Sequence, residues 1–163
     1  MRFCLIDQIT EIDEGRSISA IKNLSLAEEY LQDHFPGFPV IPGVLMLESM
    51  VQTSSWLMHQ MTEFQYGTIL LKEAKAVKFI SFLVPGKTLK VQSSLHKSDG
   101  AEFTFKAQGT VDNQSTVSAR LTLKGINLAD RDPSSADADR RNIEHHQQLF
   151  RQLWKPDTPQ TLD

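Results

Sequence analysis

Residues 34–52 read HFPGFPVIPGVLMLESMVQ, and the boundary inside this stretch decides the fold. Pro36, Pro39 and Pro42 recur every third residue, and each pushes the residue before it towards extended backbone, so the first half is loop. From Gly43 to Met61 no proline occurs, and Leu, Met, Glu and Gln favour helix. Pro42 stands at or near the first helical position, where a missing N–H costs nothing. At about 100° per residue, Val44, Leu47, Met50, Val51, Leu57 and Met58 gather on one broad face, with Ser54 and Met61. Glu48, Gln52, Ser55 and His59 form a second stripe. A solvated helix face normally carries charges of both signs, yet between 43 and 61 there is no Lys, Arg or Asp. The expected helix is therefore buried, with one carboxyl in it.

On either side of this helix the hydrophobic period is two. Residues 2–11 and 16–25 have strand character, and the "DEG" between them makes a hairpin turn. "LAEEYLQDH" reads as a short helical or irregular segment. After the helix and a loop around "TEFQYG", four segments alternate: TILLKEAKAVKF, KTLKVQSSL, EFTFKAQGTV and STVSARLTL. With turns at "VPGK", "KSDGA" and "VDNQ", they are expected to form a four-strand antiparallel meander, apolar on one face. Strand, strand, long helix and four strands make an α+β domain, the helix wrapped by a curved antiparallel sheet of about six strands. This domain is expected over residues 1–126. Residues 127–163 are expected to be a polar linker, "NLADRDPSSADADRRN", followed by a short amphipathic helix, "IEHHQQLFRQLW", able to dock on the domain or a neighbouring subunit.

Composition narrows the function classes. The chain has 163 residues, 40% hydrophobic and 23% charged, enough for one sizeable core. A formal charge of −3 without a Lys/Arg-rich patch speaks against nucleic acid as a partner. One cysteine, Cys4, permits neither an internal disulfide nor a cysteine metal cluster, and a reducing cytosol suits it, which makes the expected location cytoplasmic. Cys4 itself reads as a core residue of the first strand. The N-terminus reaches acidic residues too soon for a signal peptide, and no apolar run is long enough for a membrane span.

His34 and Glu48 are chemically complementary. Histidine is a base or acid near neutral pH. A carboxyl in apolar surroundings tends to keep its proton and can donate it. Gly43 begins the helix, so its N–H belongs to the unsatisfied set that favours negative charge, and a glycine there allows close approach by a ligand. Base, acid and oxyanion donor are the parts needed to remove a proton beside a carbonyl and expel a hydroxyl. His59 reads as structural or surface. His145 and His146 are expected on different sides of their helix, without a carboxylate at metal-site spacing, so no metal is expected. Gly-x-Ser-x-Gly and Gly-x-Gly-x-x-Gly are both absent.

The segment HFPGFPVIPGVLMLESMVQ resembles the active-site segment of the 3-hydroxyacyl-[acyl-carrier-protein] dehydratases, the FabZ-like branch of the hotdog-fold superfamily. The resemblance runs from about Phe3 to Leu123. It implies that His34 is the base at C2, that Glu48 assists departure of the 3-hydroxyl as water, and that Gly43 donates its N–H to the thioester carbonyl. The Val40 carbonyl would orient His34, and Gln52 would hold Glu48. It also implies no cofactor, and a substrate carried on the phosphopantetheine arm of acyl carrier protein or on coenzyme A. The assembly implied is a homodimer or a trimer of dimers, in which the histidine of one subunit works with the glutamate of another. Where that family carries Lys-Phe-Arg-Arg-Pro, this chain has KFISFLVPGK (78–87), leaving Lys72, Lys75, Lys78 and Lys87 as the cations available to an acidic carrier. Two other functions remain open to such a fold: hydrolysis of an acyl thioester, and non-catalytic binding of an acyl chain as a partner subunit.

Overall fold

The computed structural model describes residues 3–155, so residue 2 of the first expected strand and the tail beyond 155 lie outside the described residues. The chain runs β1 (Gln8–Asp13), β2 (Ser17–Asn23), a 3-10 turn (Glu29–Gln32), α1 (Gly43–Met61), β3 (Thr68–Phe79), β4 (Thr88–Asp99), β5 (Glu102–Val111) and β6 (Gln114–Ile126). Two further 3-10 turns lead into α2 (Ala136–Leu153). The six strands form one antiparallel sheet in the order β1-β2-β4-β5-β6-β3, and α1 packs against β2, β4, β5 and β6. This is the expected α+β hotdog arrangement, a long helix wrapped by one sheet.

Burial of α1 explains its sequence. Met50, Leu57 and Met58 are fully covered and meet Phe105, Leu89, Leu121 and Leu123 of the sheet. Each such side chain contributes roughly 1.5–3 kcal/mol by leaving water. Hydroxyls on the helix are accommodated without charge: Ser49, Thr53, Ser54 and Ser55 each donate to the carbonyl four residues earlier. Ser54 Oγ also meets Ser93 Oγ of β4 at 2.7 Å, which fixes the helix against the sheet. Val44, expected on the buried face, is instead 66% exposed. It lies in the first helical turn, ahead of the residues that the sheet covers.

Several other expectations are corrected. Residues 3–7 are not strand, because the helix takes part of their bonding: Leu5 N–H donates to Gln52 Oε1 at 2.9 Å. The β1–β2 hairpin is as expected, closed by Arg16 N–H to the Asp13 carbonyl with Gly15 at φ 70°. The last four strands are not a simple meander. β4, β5 and β6 are consecutive neighbours, but β3 pairs with β6, while β4 pairs with β2. The connection between β3 and β4 leaves the sheet edge and is pinned by Ile41 N–H to the Leu83 carbonyl and by Gly86 N–H to the Leu24 carbonyl. Alternation alone reports a strand's faces but not its neighbour. On edge strand β3 even the alternation does not hold, since Leu70, Leu71 and Phe79 are exposed.

The region after β6 also differs from its reading as a linker. α2 begins at Ala136, seven residues before Ile143 where the apolar pattern starts. Asp139 is buried and its carboxylate accepts Leu128 N–H at 3.0 Å and Ala129 N–H at 2.8 Å, so a charged residue in a polar stretch organises the turn. Gly67 permits this approach: a Cβ there would lie 2.7 Å from Asp139 Oδ1 and 3.0 Å from its Cα. Because backbone as well as side chain would have to yield, Gly67→Ala is expected to cost about 1–3 kcal/mol, measured as a lower denaturant midpoint.

Candidate active site

The proline-rich loop holds His34 through its own backbone. Phe35 and Phe38 exchange N–H to carbonyl bonds, and Val40 N–H donates to the His34 carbonyl at 3.0 Å. In return His34 Nδ1 lies 2.9 Å from the Val40 carbonyl oxygen. A carbonyl only accepts, so Nδ1 carries the hydrogen; in the neutral ring the lone pair is then on Nε2. His34 is half-buried, its ring stacked on Phe35 with centroids 4.1 Å apart.

Glu48 is held from the next helical turn. Gln52 Nε2 donates to Glu48 Oε1 at 2.9 Å and to the Phe3 carbonyl at 3.0 Å, while Gln52 Oε1 accepts Leu5 N–H. One amide therefore orients the carboxyl and ties down the N-terminal segment. Among the described residues, Gln52 is the hydrogen-bond partner of the Glu48 carboxyl.

Glu48, Gln52, Ser55 and His59, the second stripe of α1, line a half-open cleft of about 400 Å³. His34 does not line it. Cys4, expected in the core, is an exposed residue lining the cleft, and partial loss of water around its thiol raises its pKa. His145 and His146, expected to diverge, both reach the cleft. His59 is buried, its ring 4.7 Å from that of His146 and stacked on Phe64 at 5.3 Å. Burial first, and His146 second, push its pKa down to about 3. No group of residues suited to holding a metal ion occurs among the described residues.

Gly43 opens α1, and its N–H is one of those a helix leaves unpaired. The Phe79 ring lies against the Gly43 Cα: a Cβ there would meet Phe79 Cε1 at 3.1 Å and Cδ1 at 3.2 Å. The neighbour is a side chain at the sheet edge, 51% exposed, and can yield. Gly43→Ala is therefore expected to leave stability within about 1 kcal/mol but to lower kcat/KM at least tenfold, because the added methyl takes up space a ligand needs near the helix start. Of the four lysines named above, Lys72 pairs with Glu102, Lys75 with Glu73 and Lys87 with Asp112.

The family described as FabA-like domain matches residues 1–120. The chain is similar to the 3-hydroxyacyl-[acyl-carrier-protein] dehydratase FabZ of Levilactobacillus brevis, 37% identical over 118 residues, covering 72% of this chain and 80% of that protein. The protein of the same name from Albidiferax ferrireducens is 37% identical over 123 residues, covering 74% and 82%. Among solved structures, the dehydratase heterocomplex ApeI:P from Xenorhabdus doucetiae superposes with TM-score 0.66 at 18% identity, over 82% of this chain and 90% of that one. A thioesterase, PA1618 from Pseudomonas aeruginosa, does so with TM-score 0.58 at 15% identity, over 74% and 81%. At these identities the structures speak to fold.

Proposed function

This chain belongs to the FabA-like domain family, and from that premise we infer that it dehydrates a (3R)-3-hydroxyacyl-[acyl-carrier-protein] to the trans-2-enoyl thioester in fatty acid or related acyl biosynthesis. The observation that carries the reading to these residues is the held pair: an imidazole whose Nδ1 is committed to the Val40 carbonyl, and a carboxyl oriented by Gln52 in a cleft. His34 Nε2 takes the proton from C2. The developing charge on the thioester oxygen meets the N–H of Gly43, and Glu48 gives its proton to the 3-hydroxyl. The C2–H and C3–O bonds break, the C2–C3 double bond forms, and water leaves. Proton transfer from a placed side chain contributes about 100- to 10,000-fold, and one oxyanion donor about 100- to 1,000-fold.

Since His34 does not line the cleft of Glu48, the site is read as shared between two copies, the His34 of one facing the Glu48 of the other. Exposed apolar side chains support a homodimer: Leu70, Phe79 and Ile80 on and just beyond edge strand β3, with Phe35, Phe38 and Phe82 at the histidine loop. A trimer of dimers would build on that unit. No described helix is long and apolar enough to cross a membrane. A single exposed thiol fits a reducing compartment such as the cytoplasm.

The reverse reaction tests the proposal. Purified protein should hydrate enoyl thioesters, read as loss of enoyl absorbance, on acyl carrier protein or coenzyme A. Release of free thiol would identify a hydrolase instead, and acyl-carrier binding without turnover would identify a partner subunit; either result, or no hydration on either carrier, overturns the dehydratase reading.

A further inference from the structure

The outer face of the sheet, turned away from α1, holds a shallow depression of about 420 Å³. Lys78, Lys106 and Arg120 line it with neutral polar side chains such as Ser94, Gln108 and Ser118, and no acidic residue does. All three cations are exposed, and among the described residues none has an ion-pair partner. The backbone brings them together at a cost. Lys106 and Arg120 stand directly opposite each other on β5 and β6, and Lys75 of β3 stands opposite Arg120 in turn. Like charges so placed destabilise a sheet. Lys75 and Lys78 are three residues apart, a spacing that points side chains to opposite faces of a regular strand. A bulge between them, with Ala76 at φ 50°, instead sets both against outward positions of β6, Arg120 and Ser118. Neither the repulsion nor the strained alanine serves the stability of the sheet.

We propose that this depression is where the acidic face of the acyl carrier protein docks, in place of the loop in which the resemblance would put arginines. This rests on the dehydratase reading and adds the seat of its partner. Charge complementarity carries the choice of occupant. The chain is −3 overall, yet these cations stand together without a counter-charge, and residues 78–87 contain no arginine. Of the four lysines available by sequence, three are paired, which leaves Lys78. The site is also within reach of the chemistry. Lys78 adjoins Phe79, whose ring lies against the Gly43 Cα. Val117 is the β6 partner of Phe79, and Arg120 is three positions further along, about 10 Å at 3.3 Å per residue. A phosphopantetheine arm has about thirteen bonds from phosphorus to sulfur and spans roughly 16 Å at about 1.2 Å each.

The test compares hydration, by the full chain, of one enoyl group carried on acyl carrier protein, on coenzyme A and on N-acetylcysteamine. Lys106→Glu places an opposite charge across from Arg120, so its urea midpoint should equal or exceed that of wild type. In the same variant kcat/KM on carrier protein should fall at least fivefold, through KM, while the two thioesters that lack an acidic protein face stay within about twofold. Raising salt from about 50 to 500 mM should weaken wild type on carrier protein and leave Lys106→Glu nearly unchanged. An unchanged KM on carrier protein overturns the proposal, as does an equal loss on all three substrates. An equal fall on coenzyme A would make the depression a phosphate site and overturns carrier docking. Any of these results overturns this inference alone, whereas failure of wild type to hydrate any of the three overturns the dehydratase reading with it.

Discussion

Glu48→Gln is expected to reduce turnover by about 100- to 10,000-fold while leaving the fold intact, and His34→Ala to do the same. Neither change should unfold the protein. In Glu48→Gln the new amide oxygen still accepts from Gln52 Nε2, and His34 is half-buried in a loop whose backbone bonds between Phe35, Phe38 and Val40 do not depend on the imidazole. Circular dichroism and particle mass should match wild type. The informative experiment mixes the two inactive proteins. If each site draws His34 from one copy and Glu48 from another, a mixed dimer regains one complete site, and random mixing restores about a quarter of wild-type activity. If each chain carries its whole site, mixing restores nothing. The cleft lined by Glu48 and not by His34 favours restoration.

The other large effect concerns stability. His59 is pushed down to about 3 in the folded protein, chiefly by burial, against an ordinary value near 6.5 when unfolded. Between those values the unfolded chain binds a proton that the folded chain does not, so stability is intact above about pH 6.5 and falls as pH drops towards 3. The loss at pH 5 is about 2 kcal/mol, from roughly 1.5 units at 1.36 kcal/mol each. The groups packed on the ring account for this. Trp56 and Phe64 are aromatic, and His146 from α2 adds a second imidazole rather than a carboxylate. His59→Leu should flatten the dependence of the urea midpoint on pH between 4 and 6.5. A midpoint profile unchanged by that substitution would place the acid sensitivity elsewhere.

Much of the fold was legible because strong local signals agreed. The prolines before Gly43, the helix whose single formal charge is Glu48, and the alternation in β4 to β6 each follow from steric or burial rules that act over a few residues. The strand limits of β3 and β5 and the span of α1 could be read directly. Pairing could not. Nothing in TILLKEAKAVKF says that it lies beside β6 and not beside β4, because the two arrangements give the same alternation. α2 was half-legible: Leu149, Phe150 and Leu153 announced a helix, but Asp137 and Asp139 looked like linker until Asp139 was seen bonding the 128–129 backbone.

By itself the sequence determined the chemistry available to this protein: a histidine after which prolines forbid helix, a glycine at a helix start, and one carboxyl on a helix with no other formal charge. Those are properties of residue type and short spacing. Only the tertiary structure decided that His34 lies outside the cleft of Glu48, that Cys4 is exposed at its edge, and that His146 meets His59 from a helix almost ninety residues further along the chain. The physical reason is range. Torsional and periodic preferences act within a turn or a strand, whereas the composition of a cleft depends on which distant surfaces bury one another, and burial is indifferent to sequence separation.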